Sequence, residues 1–261
     1  MMSLRKQNTV SQPSSSAKLA PWWARTLFNV SAKLSENFLG GPKHLKMAWV
    51  INFHKVITLF LILGMMFYFD NFSDAAWVYL GLHGIYGYCW LVKDFGFRDG
   101  NFEVRVTYPG AVITYISLIA WYWLLPYLFI SQHTAPPGWL LFVAIALHTQ
   151  GITWMIAADC QKYFSLKYRR GLIHSGVFSF TRNPNFLGEI MIYGAYAILV
   201  NHWVGYAVFT YACIFFLSRM LVKDASISRY PEWPEYAERS NLIIPWKIFS
   251  SAKNHKIPEK Q

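Results

Sequence analysis

The sequence predicts an all-α protein: a polytopic membrane helical bundle of about six transmembrane helices. Hydrophobic residues make up 54% of the chain and charged residues only 14%, against roughly 25% charged in soluble domains. Aromatic content is 18%, with Trp and Tyr gathered near the ends of apolar runs, where amphipathic rings favour the membrane interface. The 261 residues accommodate about six spans of about 20 residues each.

Residues 1–46 form a polar, basic lead, Ser-rich from Ser11 to Ser16, with Arg5, Lys6, Lys18, Arg25, Lys33, Lys43 and Lys46 against Glu36. It holds no apolar core of signal-peptide length before a small-residue cleavage site, so this end is expected to be retained. The Trp22 to Phe28 stretch suits a segment lying along a membrane surface or a poorly ordered tail. Apolar spans then read as Trp49–Phe69, Ala75–Val92, Pro109–Ser131, Pro137–Ala158, Phe186–Val200 and Trp203–Val222. The second and fifth are marginal in length. Only Asn201 and His202 separate the last two, which predicts a tight helical hairpin.

Loop charge gives an orientation. The connections at 70–74, 132–136 and 201–202 contain no Lys or Arg. The start, the other loops and the tail carry Lys93, Arg98, Arg105, Lys162, Lys167, Arg169, Arg170, Arg182, Lys223, Arg229 and Lys247. The positive-inside rule then predicts a multi-pass protein with both termini in the cytosol, in the endoplasmic reticulum if the source is eukaryotic and the inner membrane if bacterial. On this reading the formal charge of +11 faces membrane lipids, and nucleic acid is not an expected partner, because no groove-reading module is present. Cys89, Cys160 and Cys213 are isolated, which predicts no disulfide framework and no zinc site. No metal is expected, since no His pairing supplies three convergent ligands.

Polar residues concentrate around the fourth and fifth spans. Asp159-Cys-Gln-Lys-Tyr163 closes the fourth span, and the cationic run Lys167 to Arg170 follows. The turn Arg182-Asn-Pro-Asn185 then opens the fifth span at Gly188-Glu189. Arg219, Lys223, Asp224, Arg229, Tyr230 and Tyr236 come after or near the end of the sixth. A carboxylate entering a membrane helix is expensive to keep there, so Glu189 reads as functional. Such a set suits a ligand with separate anionic and neutral polar parts: Arg and Lys for phosphates, and a helix start with exposed N–H groups. The plainer reading pairs Glu189 and Asp159 with Arg182 or Arg170 as structural ion pairs.

Arg182-Asn-Pro-Asn-Phe-Leu-Gly-Glu189 resembles the Arg-His-Pro-Asn-Tyr-Leu-Gly-acidic signature of membrane sterol reductases, and Asn185 to Ile190 is closer still to steroid 5α-reductases. The tail from Arg229 to Pro245 resembles the basic, Tyr-containing tail of the same superfamily, which also includes isoprenylcysteine carboxyl methyltransferases and is DUF1295-like. Resemblance covers about residues 155–246. It implies NADPH as cofactor, with Asp159, Asn185 and Glu189 at its adenosine and nicotinamide portions. It carries Arg182, Arg219, Asp224, Arg229 and Tyr230 over more loosely. It further implies a catalytic membrane domain at 47–246, with 155–246 as its cofactor-binding half, between a basic segment at 1–46 and a basic cytosolic tail at 247–261. Two positions depart from the pattern: Asn183 stands where the signature has His, and the catalytic Tyr that follows a His in 5α-reductases is replaced, after His83, by Gly84.

Reduction of an activated C=C bond needs a hydride on one face and an acid on the other. His83 and Tyr86, three residues apart and on one helix face, are the candidate catalytic pair; Tyr88, His54 and His148 are further titratable groups within spans. The resulting expectation is an NADPH-dependent reductase of a C=C bond in a steroid-, sterol- or other lipid-like substrate drawn from the bilayer. The rival is an S-adenosylmethionine-dependent methyltransferase acting on a lipid or isoprenylcysteine. Glu189 belongs to the reductase signature, whereas methyltransferases carry a paired-Glu run where this chain has Lys223-Asp-Ala-Ser226.

Overall fold

All six apolar runs are helical in the computed structural model, which describes residues 18–247. The expected basic tail from 248 onward, and the lead up to 17, lie outside the described residues. Helix α1 covers Trp22–Asn37 and α2 Met47–Tyr68. The second run is continuous but irregular: α3 (Asp74–Tyr79) passes through a π turn, Leu80–Gly84, into α4 (Ile85–Gly96). The third runs from α5 (Tyr108–Thr114) through a π turn and a 3₁₀ turn into α6 (Leu124–Ser131). Then follow α7 (Gly138–Tyr168), α8 (Pro184–Val200), α9 (Trp203–Ile227) and the short α10 (Trp233–Arg239). Sheet is limited, among the described residues, to Leu45–Lys46 paired antiparallel with Arg105–Val106.

Four of these helical stretches are long and apolar enough to cross a membrane: Met47–Tyr68, Tyr108–Ser131, Gly138–Tyr168 and Trp203–Ile227. The 17-residue α8 is apolar but shorter. The molecule is an all-α membrane bundle, with large side chains such as Trp49, Phe53, Phe60, Trp139 and Phe142 exposed on its outer faces. Asn201 takes a left-handed conformation, φ 45°, and turns α8 into α9 in two residues, as the hairpin reading requires.

Three features differ from the sequence reading. The fourth helix does not end near Ala158 but continues to Tyr168, because no Gly or Pro interrupts the polar residues that follow. At 31 residues it rises about 46 Å, well beyond a bilayer's hydrocarbon. Lys93, counted above with the loop charges, is a buried residue of α4. The Trp22 to Phe28 stretch is helical and packed: Ser218 donates to the Ala24 carbonyl at 2.9 Å, tying α1 to α9.

Close helix contacts set the geometry. A Cβ on Gly151 would meet the Gly188 carbonyl oxygen at 2.7 Å, and one on Gly188 would clash with the Gly151 carbonyl. Small residues therefore let α7 and α8 approach backbone to backbone, the usual device where lipid removes the hydrophobic drive between helices. Gly87 does the same between α4 and α2, its absent side chain leaving room for the Lys55 carbonyl. These two contacts bring Glu189, Tyr86 and Lys55 to one level of the bundle.

Candidate functional site

The polar groups sort into an interior cavity, a groove at one end of α7, and a clasp around Arg182. The cavity is walled by His54, Lys55 and Thr58 of α2, His83, Tyr86 and Gly87, Tyr122, and Tyr193 of α8. Tyr86 donates its hydroxyl to Glu189 Oε2 at 2.7 Å. Lys55 Nζ lies 4.0 Å from the Tyr86 ring centroid and donates to the Tyr193 hydroxyl at 3.2 Å. His83, on the same cavity wall, lies 3.1 Å from the Tyr79 hydroxyl and stacks on Tyr196 at 4.1 Å. Tyr196 in turn meets His148 Nε2 at 3.1 Å. Space open to a water centre is only about 10 Å³, about one water's worth. The cavity is closed down onto its own side chains.

The groove is larger, about 450 Å³, within the size class of small-ligand sites. Arg98, Asp99, Asn101, Asp159, Lys162, Tyr163 and Lys167 line it. Asp159 pairs with Lys93 at 3.0 Å, with both side chains almost wholly buried. Lys162 holds Asp99 at 2.7 Å. Burial would raise the Asp99 carboxyl, but the Lys162 ammonium outweighs it and holds it below the ordinary carboxylate value of 3.8.

The clasp gathers chain ends. Arg182 donates through Nε to Asp224 Oδ2 at 2.8 Å and through a terminal nitrogen to the Ser240 carbonyl at 2.7 Å. Lys223 Nζ donates to the Arg182 carbonyl at 2.6 Å, and Asn183 Nδ2 to the Leu242 carbonyl at 2.9 Å. The Arg182 guanidinium lies over the Trp233 ring at 5.5 Å. Tyr236 donates to the Phe178 carbonyl at 2.8 Å; burial pushes its phenol well above the usual range, so it stays a donor. Four buried atoms here lack a hydrogen-bond partner: Asn183 Oδ1, Asp224 Oδ1, Trp233 Nε1 and Asn241 Nδ2. Lys223 is within electrostatic reach of Asp224, Lys162, Arg182 and Asp159, so clasp and groove share one field.

The residues singled out from sequence are therefore only partly brought together. Tyr86 and His83 do line one cavity. Glu189, grouped above with the cofactor set, instead meets Tyr86. Asp159 lines the groove, and Arg182 and Asp224 form the clasp. Asn185 is half-buried on the first turn of α8. Arg219 faces α1, 5.5 Å from the Phe28 ring. Arg229 is exposed, 5.2 Å from the Tyr230 ring, and contacts Ser226. The plainer ion-pair reading is corrected in its partners: Asp159 takes Lys93, Glu189 takes a phenol, and Arg182 takes Asp224. Lys55 and Lys93 are the groups that the sequence reading undervalued. Their signal was an ammonium set in an otherwise apolar helical run, Lys55 after His54 and Lys93 before Asp94, the pattern that marks an intramembrane site. Among the described residues, no group of three His, Cys, Asp or Glu side chains is placed to hold a metal.

Fold and site together define a helical membrane protein with a buried polar cavity and a charged groove at one end of α7. The family model for the protein of unknown function DUF1295 matches residues 104–240, over half of the chain. The chain belongs to that family, one associated with steroid 5α-reductase-like membrane proteins. No curated protein and no solved structure matches it.

Proposed function

We propose that this chain is an integral-membrane, NADPH-dependent reductase of a C=C bond in a steroid-, sterol- or other lipid-like substrate. The observation that carries this reading is the Tyr86 hydroxyl bonded to Glu189 at 2.7 Å inside the apolar bundle. Adding hydride to a C=C bond requires a proton donor at the other carbon, whereas methyl transfer to a carboxylate or thiolate requires none. A phenol oriented by a buried carboxylate is such a donor, and the rings of Tyr193 and Tyr196 pack against it in a cavity with room for about one water.

The donor set suits the cofactor. Arg98, Lys162 and Lys167 on the groove wall would bind its phosphates. The open donors and acceptors of the clasp, at Asn183, Asp224, Trp233 and Asn241, match the mixed polarity of ribose and carboxamide. When bound, NADPH supplies the hydride. Asp159, at the groove and paired with Lys93, keeps a negative charge beside these cations and fixes their spacing. The sequence-based orientation, with both termini cytosolic, belongs to this proposal and gives the groove access to a soluble cofactor.

Thermal unfolding of the detergent-purified chain with NADPH or with S-adenosylmethionine is the test. A ligand at 100 times its dissociation constant stabilises by about 2.7 kcal/mol. Stabilisation by NADPH alone is expected; stabilisation by S-adenosylmethionine alone replaces the reductase reading with the methyltransferase one.

A further inference from the structure

The four helical stretches of membrane length carry three side-chain amides, Asn52, Gln150 and Gln161. Two of them are bonded through both nitrogen and oxygen. Asn52 donates to Asp94 at 2.8 Å and accepts from the Trp90 indole at 3.2 Å. Gln161 donates to the Ser175 carbonyl at 2.8 Å and accepts from the Val177 N–H at 3.0 Å. Gln150 is exposed on α7, and its amide forms no hydrogen bond among the described residues. By the rise of a helix it lies about 18 Å from Gly138 and about 14 Å from Asp159, near the middle of a hydrocarbon core about 30 Å thick. From that depth the side chain does not reach the interface, and hydrocarbon supplies it no partner.

The face that carries Gln150 is turned away from the bundle. Ala144, His148, Gly151, Met155 and Ala158 are on the buried side of α7. Ala146, Gln150, Thr153 and Ala157 follow one another at helical spacing on the opposite side. Thr153 donates its hydroxyl to the Thr149 carbonyl at 2.9 Å, so the open polar group at the centre of this face is the Gln150 amide. No Asp, Glu, Lys or Arg occurs between Gly138 and Ala158. Two like faces therefore meet without charge repulsion, and the small side chains around the amide permit close backbone approach.

The amide itself selects the occupant. It carries both donors and an acceptor, so two copies of the same side chain satisfy each other, whereas a partner with a donor or an acceptor alone would leave half of it open. All copies of a chain insert into the membrane in one direction. A two-fold axis along the membrane normal then sets α7 parallel to its copy, with both Gln150 side chains at one depth. We propose that two copies of this chain dimerise through the outer face of α7, with their Gln150 amides paired reciprocally across that axis. The pairing is independent of the reaction that the chain carries out.

Energy transfer between donor- and acceptor-labelled full chains in phosphatidylcholine vesicles, diluted stepwise with lipid, tests this. The parent is expected to change from dimer to monomer on dilution. In Gln150→Leu the midpoint is expected to move to an about 3–30-fold higher protein-to-lipid ratio, the loss of an interhelical hydrogen bond in a membrane. Gln150→Asn, which keeps an amide on a shorter arm, is expected to fall between the two. At monomeric dilution the Tm of Gln150→Leu is expected to equal the parent's. With Cys89, Cys160 and Cys213 replaced by Ala, oxidation is expected to cross-link Thr153→Cys into dimers and to leave Phe60→Cys, on the outer face of α2, as monomer. An unchanged midpoint in Gln150→Leu, a lowered Tm at monomeric dilution, or cross-linking at position 60 in place of 153 would each overturn the assignment. A parent that stays monomeric at every ratio also overturns it and leaves the amide to a helix of a different membrane protein.

Discussion

The interior cavity and the Arg182 clasp hold similar numbers of polar side chains in opposite ways. In the cavity each polar group has few bonds, mostly to other side chains: Tyr86 to Glu189, Lys55 to Tyr193, His83 to Tyr79. In the clasp the side chains bond to backbone far away in sequence: Arg182 to Ser240, Asn183 to Leu242, Lys223 to Arg182. A side chain bonded to backbone carries the fold, and one bonded to a neighbour's tip can exchange that neighbour for a substrate. The cavity's groups are thus free to exchange partners, whereas the clasp's bonds join the last three helices and leave only its unsatisfied atoms, on Asn183, Asp224, Trp233 and Asn241, for the cofactor proposed above.

Four measurements sharpen or break that contrast. The largest effect is expected for Tyr86→Phe, which should slow reduction by about 10²–10⁴-fold while leaving NADPH-dependent stabilisation in place. An unchanged single-turnover rate would move the acid to Tyr88, His54 or His148 and remove the cavity's claim to chemistry. Lys93→Met comes next. It leaves Asp159 buried and unpaired, which should cost about 3–5 kcal/mol in unfolding experiments, and the double change with Asp159→Leu should restore most of that.

Arg182→Lys follows. It keeps the charge but loses the forked geometry to Asp224 and Ser240, for about 1.5–3 kcal/mol of stability. Full stability in Arg182→Lys would show that the forked bonds to Asp224 and Ser240 do not carry the fold and would erase the contrast. The smallest effect is at Asp99. Its folded-state value is held below the ordinary 3.8 by Lys162, so its contribution is present above that pH and disappears as pH falls through the depressed value. Lys162→Met should therefore lower stability slightly across the neutral range and remove a small part of the acid-limb loss, because the contribution it deletes is already absent at low pH.

Much of the fold was legible because helices in lipid must satisfy their own backbone, which leaves a clear apolar signature. The hairpin at Asn201 could be read from two residues between apolar runs. What could not be read was which helix faces meet. The plainer sequence reading paired Asp159 and Glu189 with Arg182 or Arg170; the bundle gave them Lys93 from α4 and Tyr86 from the same helix. That choice depends on backbone approach at Gly87, Gly151 and Gly188, and glycine carries no periodic signal for its partner. Tyr86 emerged from same-face spacing with His83, but its bond to Glu189, 103 residues away, did not.

Those glycine contacts also bear on how a lipid could enter a cavity with room for about one water. Three of its walls are pinned backbone to backbone: α2 and α4 to each other at Gly87, and α8 to α7 behind it at Gly151 and Gly188. The remaining wall, the π and 3₁₀ turns from Tyr115 to Trp123, is held mostly by side chains. Tyr122 stacks on Tyr193 at 4.5 Å, Trp123 stacks on His54 at 4.9 Å, and the Trp123 indole donates to Thr58 at 2.9 Å. Aromatic pairs of this kind contribute about 0.5–1.5 kcal/mol each, far less than prising apart close-packed backbones. The third span is accordingly the wall with the weakest anchoring, and, if the chain draws its substrate from the bilayer as proposed, the irregular helix is the side on which the chamber would open.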